Sequence, residues 1–414
     1  MRCMRWLCAI IIILAGSFDA LLPGRLFAQT PEQYGALLDS NRLFALRDLV
    51  KHGSAPYFYR GAVEEAQNRD GPAMRDLWRA IGLDPHSKQA FEALEMLGNL
   101  NFREGKYREA RDAAEQAHII DPDSADLNNM LPLLRSLADT PDMEVEGRGS
   151  RLQMRRDSDG SSGLPILING KTVTYGFDTG AALSVMGTAD AKMLGLAVKH
   201  VDMHLSEGSG TSIPGVDLAV AHDLVIGGMH WRNVPFFVLQ DTGEPFVHVP
   251  IGSRGLLGLP VMITMGKFRW EPSGLFSFGS HVQSAKSAEQ NLLFHGVTPI
   301  VQLRVKGKPL IFSLDTGAVD TDLNQGFATA LPEIVEAGRK ETRAITGMGG
   351  SNQYDSVLLG PVTFEIGGYD VTLSSPHVFP KHSLGSFDGN LGNDILKQAK
   401  AITLDFKRMS LQLE

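Results

Sequence analysis

"YGFDTGAALS", residues 175–184, and "FSLDTGAVDT", residues 312–321, are the two stretches that decide the fold. Each places an aspartate directly after an apolar run and follows it with Thr-Gly-Ala. The tripeptide Asp-Thr-Gly occurs a third time, at Asp241 in "VLQDTGEPF" (238–246). A reaction that needs two matched carboxylates cannot use three, so the first question is which two copies form a pair.

The sequence around the first two copies is duplicated. "ILINGKTVTYGFDTGAALS" (166–184) aligns with "LRVKGKPLIFSLDTGAVDT" (303–321) at a constant offset of 137. Both blocks are predicted hairpins, and the Asn-Gly pair of the first favours a two-residue turn. Three more pairs follow in the same order: "LVIGGMHW" (224–231) with "FEIGGYDV" (364–371), "GLLGLPVM" (255–262) with "GNLGNDIL" (389–396), and "ITMGKF" (263–268) with "ITLDFK" (402–407). Four matched blocks predict two copies of one lobe.

Asp241 does not fit this register. It precedes Gly258 by only 17 residues, whereas Asp178 precedes Gly258 by 80 and Asp315 precedes Gly392 by 77. It also has no counterpart in the other copy. We therefore predict that Asp241 is a turn residue at the end of a strand, where Asp and Gly are favoured for local reasons.

The paired motifs have a chemical logic. An apolar strand delivers the carboxylate to a tight turn, the glycine permits close backbone approach, and the threonine hydroxyl can bridge backbone groups. Two carboxylates about 3 Å apart cannot both ionise, so they share one proton. The ionised member can then take a proton from water while the other hydrogen-bonds a scissile carbonyl. Asp178 and Asp315 are the predicted catalytic residues.

Residues 164–414 resemble the aspartic peptidase superfamily, with two retropepsin-like lobes fused in one chain. The resemblance implies peptide-bond hydrolysis of a peptide or unfolded protein, without cofactor or metal, at a site that one chain completes. It also implies mobile hairpins at 206–215 and 346–354 that close over an extended substrate. It assigns the supporting loop residues Thr179, Gly180, Ala181, Thr316, Gly317, Ala318, Gly258 and Gly392.

Two departures from the family pattern stand out. Asn390 occupies the position that Leu256 has in the first lobe, so the second apolar-apolar-Gly element is polar at one place. The chain also lacks the disulfides and the overall length of the pepsin-like enzymes. The bacterial two-lobed branch of the superfamily is therefore the better match.

The region before the duplication is predicted to be helical, because it is rich in Ala, Leu, Glu and Arg at helical spacing. Pro85 and Pro122 end two similar segments 37 residues apart. The second segment resembles a tetratricopeptide repeat, with Gly105, Tyr107, Ala110 and Ala114 where paired helices pack closely; a plain helical bundle is the alternative. The predicted fold is an all-α helical repeat before a mainly-β, bilobal aspartic-peptidase fold: helical domain 29–138, linker 139–163, lobe one 164–280, connection 281–296 and lobe two 297–414.

Residues 1–28 have the features of a secretory signal peptide: arginines, the apolar run "LCAIIIILAG" and a cleavage point near Ala28. We expect a periplasmic or secreted protein, with an uncleaved membrane anchor as the alternative. Cys3 and Cys8, the only two cysteines, lie in this segment, so the mature chain would hold no disulfide. The net charge of −8 gives no basic surface for nucleic acid.

Other chemistries have weaker support. His200 and His204 have i, i+4 spacing but no accompanying glutamate or third ligand, so they are predicted to be surface residues. Neither Gly-x-Ser-x-Gly nor a phosphate-binding loop occurs. Three readings remain open: an endopeptidase whose helical repeats recruit a partner or substrate, a non-catalytic peptide-binding adaptor with the same fold, and a duplicated β domain whose two aspartates serve only as turn residues.

Overall fold

A computed structural model describes residues 30–156, 162–206, 210–242, 246–283, 288–347, 350–381 and 387–414. The predicted signal peptide lies outside these residues. Within the described ranges, no helix has the length and apolar character needed to cross a membrane.

The N-terminal region is helical, as predicted. Equivalent positions 37 residues apart begin and end its helices: the side chains of Ser87 and Ser124 each accept a hydrogen bond from the backbone N–H three residues later and cap a helix. Tyr107, Ala110 and Ala114 are buried between helices, whereas Gly105 forms a turn at a φ of +74°. The helices are α1 (Pro31–Asp39), α2 (Leu43–Lys51), α3 (Tyr57–Ala66), α4 (Asp70–Leu83), α5 (Lys88–Arg103), α6 (Tyr107–Ile120) and α7 (Ala125–Leu137).

The first lobe follows three short strands, β1 (Glu144–Gly147), β2 (Arg151–Gln153) and β3 (Arg155–Arg156). Its own elements are β4 (Ser162–Ile168), β5 (Lys171–Phe177), β6 (Ser184–Gly187), α8 (Thr188–Leu194), β7 (Val198–Ser206), β8 (Ser212–Ala221), β9 (Leu224–Ile226), β10 (Met229–Arg232), β11 (Val234–Leu239), β12 (Gly255–Leu257), α9 (Leu259–Thr264), β13 (Lys267–Trp270) and β14 (Leu275–Phe278).

The second lobe repeats this order. It contains β15 (Leu292–His295), β16 (Thr298–Val305), β17 (Lys308–Leu314), β18 (Asp322–Leu323), α10 (Gln325–Ala330), α11 (Pro332–Glu336), β19 (Arg339–Gly347), β20 (Gly350–Leu358), β21 (Val362–Ile366), β22 (Tyr369–Leu373), β23 (His377–Val378), β24 (Gly389–Leu391), α12 (Asn393–Leu396), β25 (Ile402–Asp405) and β26 (Ser410–Leu413). The predicted fold class, helices followed by a mainly-β region, is confirmed.

The strand pairings show that the two lobes have the same topology. In the first, β12 lies parallel to β5 and antiparallel to β6, which lies parallel to β11. In the second, β24 has the same relation to β17 and β18, and β18 lies parallel to β23. The turns also match, because Asn169 and Gly170 have φ of +48° and +75°, and Lys306 and Gly307 have +50° and +77°. The duplication inferred from sequence is therefore a structural one.

A five-stranded sheet, ordered β2-β14-β13-β25-β26, joins the lobes. It corrects one predicted alignment: Ile263 lies in α9, whereas its proposed counterpart Ile402 begins β25. The strand that matches β25 in topology is β13, four residues further along than the alignment placed it. Strand β13 begins 9 residues after Gly258 and β25 begins 10 residues after Gly392, so the two Ile-Thr dipeptides do not occupy equivalent positions.

The segments predicted as connections contribute strands to the sheets. Within 139–163, β1 pairs with β10 and β2 pairs with β14. Within 281–296, β15 pairs with β16. These polar or short strands lack an alternating pattern of their own, because they sit at sheet edges and take their pairing from a neighbour.

The helical region contacts both lobes. Arg103 of α5 is fully buried, forms an ion pair with Glu65 and donates to the backbone carbonyl of Gly296 in the second lobe. On α7, the amide of Asn129 accepts a hydrogen bond from the His204 backbone N–H at 2.8 Å and donates to its carbonyl at 2.9 Å. Strand β7, which carries His204, is the last strand of its sheet. The helical region therefore covers part of a free strand edge.

Candidate active site

Two equivalent turns carry the predicted catalytic aspartates. Asp178 directly follows β5, and its backbone N–H donates to the carbonyl of Leu257 at 2.9 Å. Asp315 directly follows β17, and its N–H donates to Leu391 at 3.1 Å. In each lobe, the parallel strand that contains the apolar-apolar-Gly element thus fixes the start of the turn.

The two threonines hold the turns together reciprocally. The backbone N–H of Thr179 donates to Thr316 Oγ1 at 3.0 Å, and the N–H of Thr316 donates to Thr179 Oγ1 at 3.0 Å. The hydroxyl of Thr179 donates to the Leu314 carbonyl at 2.7 Å, and that of Thr316 to the Phe177 carbonyl at 3.2 Å. All four bonds cross between the lobes, and their symmetry is that of a two-fold axis.

The two carboxyl groups meet at this junction, where the backbone N–H of Gly317 donates to Oδ1 of Asp315 at 2.9 Å and to Oδ1 of Asp178 at 3.2 Å. The neighbouring glycines make the approach possible: a Cβ at Gly317 would lie 2.5 Å from the Asp178 carboxyl, and a Cβ at Gly180 would lie 3.0 Å from the Asp315 carboxyl carbon. A side chain at either position would force the acids apart.

The pair is chemically unequal. Burial, followed by the charge of Asp315, raises the pKa of Asp178 to about 7, against opposing hydrogen bonds from the N–H groups of Gly180 and Gly317. Asp315 accepts hydrogen bonds from the N–H groups of Gly317 and Ala318, both at 2.9 Å, and from the Asn390 amide at 3.1 Å. The Asp315 carboxyl thus accepts three hydrogen bonds, whereas the Asp178 carboxyl accepts two, from Gly180 and Gly317.

Asn390 is the site residue that sequence reasoning missed. It was identified only as a polar substitution for Leu256 in the duplicated element. In the structure its amide donates to Asp315 Oδ2, and its carbonyl oxygen accepts a 2.6 Å hydrogen bond from Ser313, which orients it. A polar residue in one copy of an otherwise apolar repeat was the available signal, but its partner could not be read from the chain.

The remaining predicted loop residues lie around the pair. Gly258 and Gly392 are needed for backbone contact, because a Cβ would lie 2.3 Å from Leu183 and 2.4 Å from Asp320, respectively. Their N–H groups donate to the hydroxyls of Ser184 and Thr321, both at 3.0 Å. In turn, the carbonyls of Ala181 and Ala318 accept from Leu259 and Asn393, both at 2.9 Å, so each supporting loop is bonded to its catalytic turn.

A cleft of about 590 Å³ opens above the two carboxyls. The strands of both predicted hairpins line it, with Leu205 and Ile213 from β7 and β8, and Ile345 and Thr346 from β19. Residues 207–209 and 348–349, within the predicted mobile hairpins, lie outside the described residues. The described strands of both hairpins therefore border the site.

Asp241 lies apart from the pair, and its role differs from the simple turn that was predicted. Its carboxylate accepts hydrogen bonds from Thr188 Oγ1 at 2.6 Å and the Ala189 N–H at 2.9 Å, at the start of α8. It also forms a 3.0 Å ion pair with Arg254. Burial favours a higher pKa for Asp241, but these three partners outweigh burial and lower it. Asp241 is a helix cap and the partner of a largely buried arginine.

The two spaced histidines do not converge on a common ligand position. His200 is exposed and lies 3.0 Å from Asp217, while His204 is held through its backbone by Asn129.

Part of the first lobe is similar to a known protein family. Residues 164–261 match the family model described as aspartyl protease, which supports the predicted aspartic peptidase superfamily. Among solved structures, a retropepsin-like aspartic protease from Rickettsia conorii is similar at 20% sequence identity, over 33% of this chain and 95% of that chain, with a TM-score of 0.25. No curated protein matches the chain.

Proposed function

We propose that the protein is an aspartic endopeptidase that hydrolyses peptide bonds with water activated between Asp178 and Asp315. The observation that carries this proposal is the pair of carboxyl groups that both accept from the Gly317 N–H in a cleft and are held across two lobes by the reciprocal threonines. The aspartyl protease match over the first lobe supports the same chemistry.

The unequal surroundings of the two acids assign their roles in this proposal. Asp315 is the carboxylate that takes a proton from the attacking water, because three donors stabilise its charge. Asp178 holds the proton and donates a hydrogen bond to the scissile carbonyl as its oxygen gains negative charge. Asp315 then passes the proton that it took from water to the nitrogen of the leaving amine, the C–N bond breaks as the carbonyl re-forms, and the pair returns to its singly protonated state.

Incubation of the purified protein with a denatured protein substrate tests the proposal. We expect fragments to form at mildly acidic pH, with cleavage blocked by a statine-type transition-state mimic. Asp178→Asn and Asp315→Asn should each abolish cleavage. Peptide binding that survives both substitutions, without cleavage by the wild type at any pH, would favour the adaptor reading instead.

One chain supplies both acids, so we propose that the monomer is active. Gel filtration across a dilution series, with activity measured on the same fractions, tests this point. Specific activity should not change with concentration. Loss of activity together with a shift from dimer to monomer would contradict it.

We further propose that the helical region recruits a substrate or partner. Trp78 is 43% exposed and Tyr57 is 37% exposed on neighbouring helices, and Arg60 and Arg79 lie over the Tyr57 ring. Exposed aromatic and arginine side chains are typical of protein-binding surfaces. Replacing Trp78 with Ala should weaken cleavage of a protein substrate and leave cleavage of a short peptide unchanged; equal effects on both would contradict recruitment.

Export is proposed from residues 1–28. Cell fractionation and N-terminal sequencing of the mature chain test it: a start near residue 29 outside the cytoplasm is expected, and an intact Met1 start would contradict cleavage.

A further inference from the structure

The duplication allows the two walls of the cleft to be compared position by position. At the offset of 137, Leu183 corresponds to Asp320 and Val185 to Asp322, and all four line the cleft. The residues between them, Ser184 and Thr321, each accept a hydrogen bond from the glycine of the supporting loop, which confirms the alignment. Two apolar positions of the first lobe are therefore acidic in the second.

Two further positions show the same change. Leu256 and Asn390 are equivalent and both line the cleft. Phe237 is the strand partner of Val185, and His377 is the strand partner of Asp322, so these two residues also correspond. At the three compared positions that line the cleft in both lobes the first lobe has Leu183, Val185 and Leu256, whereas the second lobe has Asp320, Asp322 and Asn390.

The charges of the second lobe are partly neutralised by one another. Arg343 forms a 2.5 Å ion pair with Asp320 and also donates to Nδ1 of His377. Because arginine is always a donor, Nδ1 must be the acceptor, so the His377 ring carries its proton on Nε2. That Nε2–H donates to Glu341 at 2.6 Å.

Asp322 has no ion pair of its own, although the charge of Arg343 acts on it from a greater distance. Among the described residues, no cationic side chain lies within ion-pair distance of its carboxylate, although it lines the cleft. Arg343 is already paired to Asp320, so an acidic ligand there would meet the carboxylate of Asp322. The wall therefore favours a positively charged ligand group.

We propose that the cleft binds its substrate with a fixed polarity, placing an apolar side chain against Leu183 and Val185 and a lysine or arginine side chain against Asp322. The proposal rests on the peptidase function proposed above and names its substrate class. It makes Asp322 a specificity-determining residue, because the same backbone position in the other lobe is valine.

The protonation of Asp322 adds a second signature. Burial raises the pKa of Asp322 to about 6; Arg343 opposes the rise, and Asp320, Asp394 and Asp315 add to it. His377 lies on the paired strand, and its ring is hydrogen-bonded by Arg343 and Glu341. The preference for a cationic side chain should therefore increase from pH 5 to pH 7, as Asp322 becomes charged.

Paired peptides test the inference. A cleaved sequence is made with Lys, Glu or norleucine at each position flanking the scissile bond, and kcat/KM is measured. At pH 7 the wild type should favour Lys over Glu by about tenfold at positions on one side only, the factor that 1.4 kcal/mol gives. Asp322→Asn and Asp322→Val should bring that ratio close to one. Val185→Asp should create a preference for Lys on the other side.

Binding separates failure of this inference from failure of the proposed function. The same peptides with a reduced, uncleavable bond are titrated into wild type and Asp322→Asn by fluorescence anisotropy. Preferential binding of the Lys peptide without cleavage of any peptide would contradict the proposed peptidase function and support the proposed orientation of the bound peptide. Cleavage with equal kcat/KM for the Lys and Glu peptides, unchanged by Asp322→Asn, would contradict the proposed orientation and leave the peptidase function supported. Circular dichroism of each variant confirms that it is folded.

Discussion

Thr179 and Thr316 hydrogen-bond each other's backbone reciprocally, each N–H donating to the other's hydroxyl at 3.0 Å. The two residues lie 137 positions apart and belong to different lobes. This exchange fixes the relative position of the turns that carry the acids, so the geometry of the pair depends on residues that do no chemistry themselves.

Removing either hydroxyl should therefore destabilise the protein. Thr316→Val keeps the side-chain shape but leaves the buried Thr179 N–H without its acceptor, at a cost of about 1–3 kcal/mol. Urea unfolding measures the change. The control is Thr363→Val, which removes an exposed hydroxyl on β21 and should cost no more than about 0.5 kcal/mol. Equal stability of the two variants would show that the reciprocal hydrogen bonds of Thr179 and Thr316 contribute little to the free energy of unfolding.

Asn390 should set the acidic limb of the pH–activity profile. Asn390→Leu installs the residue of the first lobe and removes one donor from the Asp315 carboxylate. One donor fewer then stabilises the negative charge that the aspartate pair carries, so the acidic limb of kcat/KM should move to higher pH. A profile that keeps its limbs while kcat/KM falls uniformly would assign Asn390 a packing role only.

The raised pKa of Asp178 makes stability depend on pH. Its pKa is about 7 in the folded chain against an ordinary 3.8, so the folded state holds a proton that the unfolded state releases. The stabilisation is present below about pH 4 and is lost as pH rises through about 7. Asp178→Asn should remove this part of the decline. The difference in melting temperature between variant and wild type should therefore favour the variant at pH 8 more than at pH 4.5. A difference that does not change with pH would contradict the assignment.

Asp241 should matter for folding and not for chemistry. Asp241→Ala removes the cap of α8 and leaves Arg254 without its partner, with an expected cost of about 3 kcal/mol. Well below its lowered melting temperature, the variant should still cleave at the wild-type rate. Loss of activity in a folded sample would give Asp241 a function that its position does not suggest.

The helical region should protect the edge of β7. Asn129→Ala removes both hydrogen bonds to the His204 backbone, so amide exchange along β7 should accelerate. Asn128→Ala is the matched control, because Asn128 bonds only to the Pro122 carbonyl within its own region. Identical exchange in the two variants would mean that the contact does not restrain the strand.

The pairing of Asp178 with Asp315 was predictable because duplication repeats both the motif and its distance from the supporting glycine. The first hairpin turn was equally predictable, because the Asn169-Gly170 pair favours a two-residue turn whatever its tertiary surroundings. The roles of Asn390 and Asp241 were not, because each depends on a partner more than 50 residues away. The short strands between domains were missed for a related reason: their pairing is supplied by the neighbouring strand and leaves no period in their own sequence.

The three copies of Asp-Thr-Gly provide the most direct test of the central claim. Fragments of one denatured substrate are counted by mass spectrometry after incubation with Asp178→Asn, Asp315→Asn and Asp241→Asn, each verified as folded. The account predicts cleavage by the wild type and Asp241→Asn, and none by the other two. Undiminished cleavage by either Asp178→Asn or Asp315→Asn would contradict it.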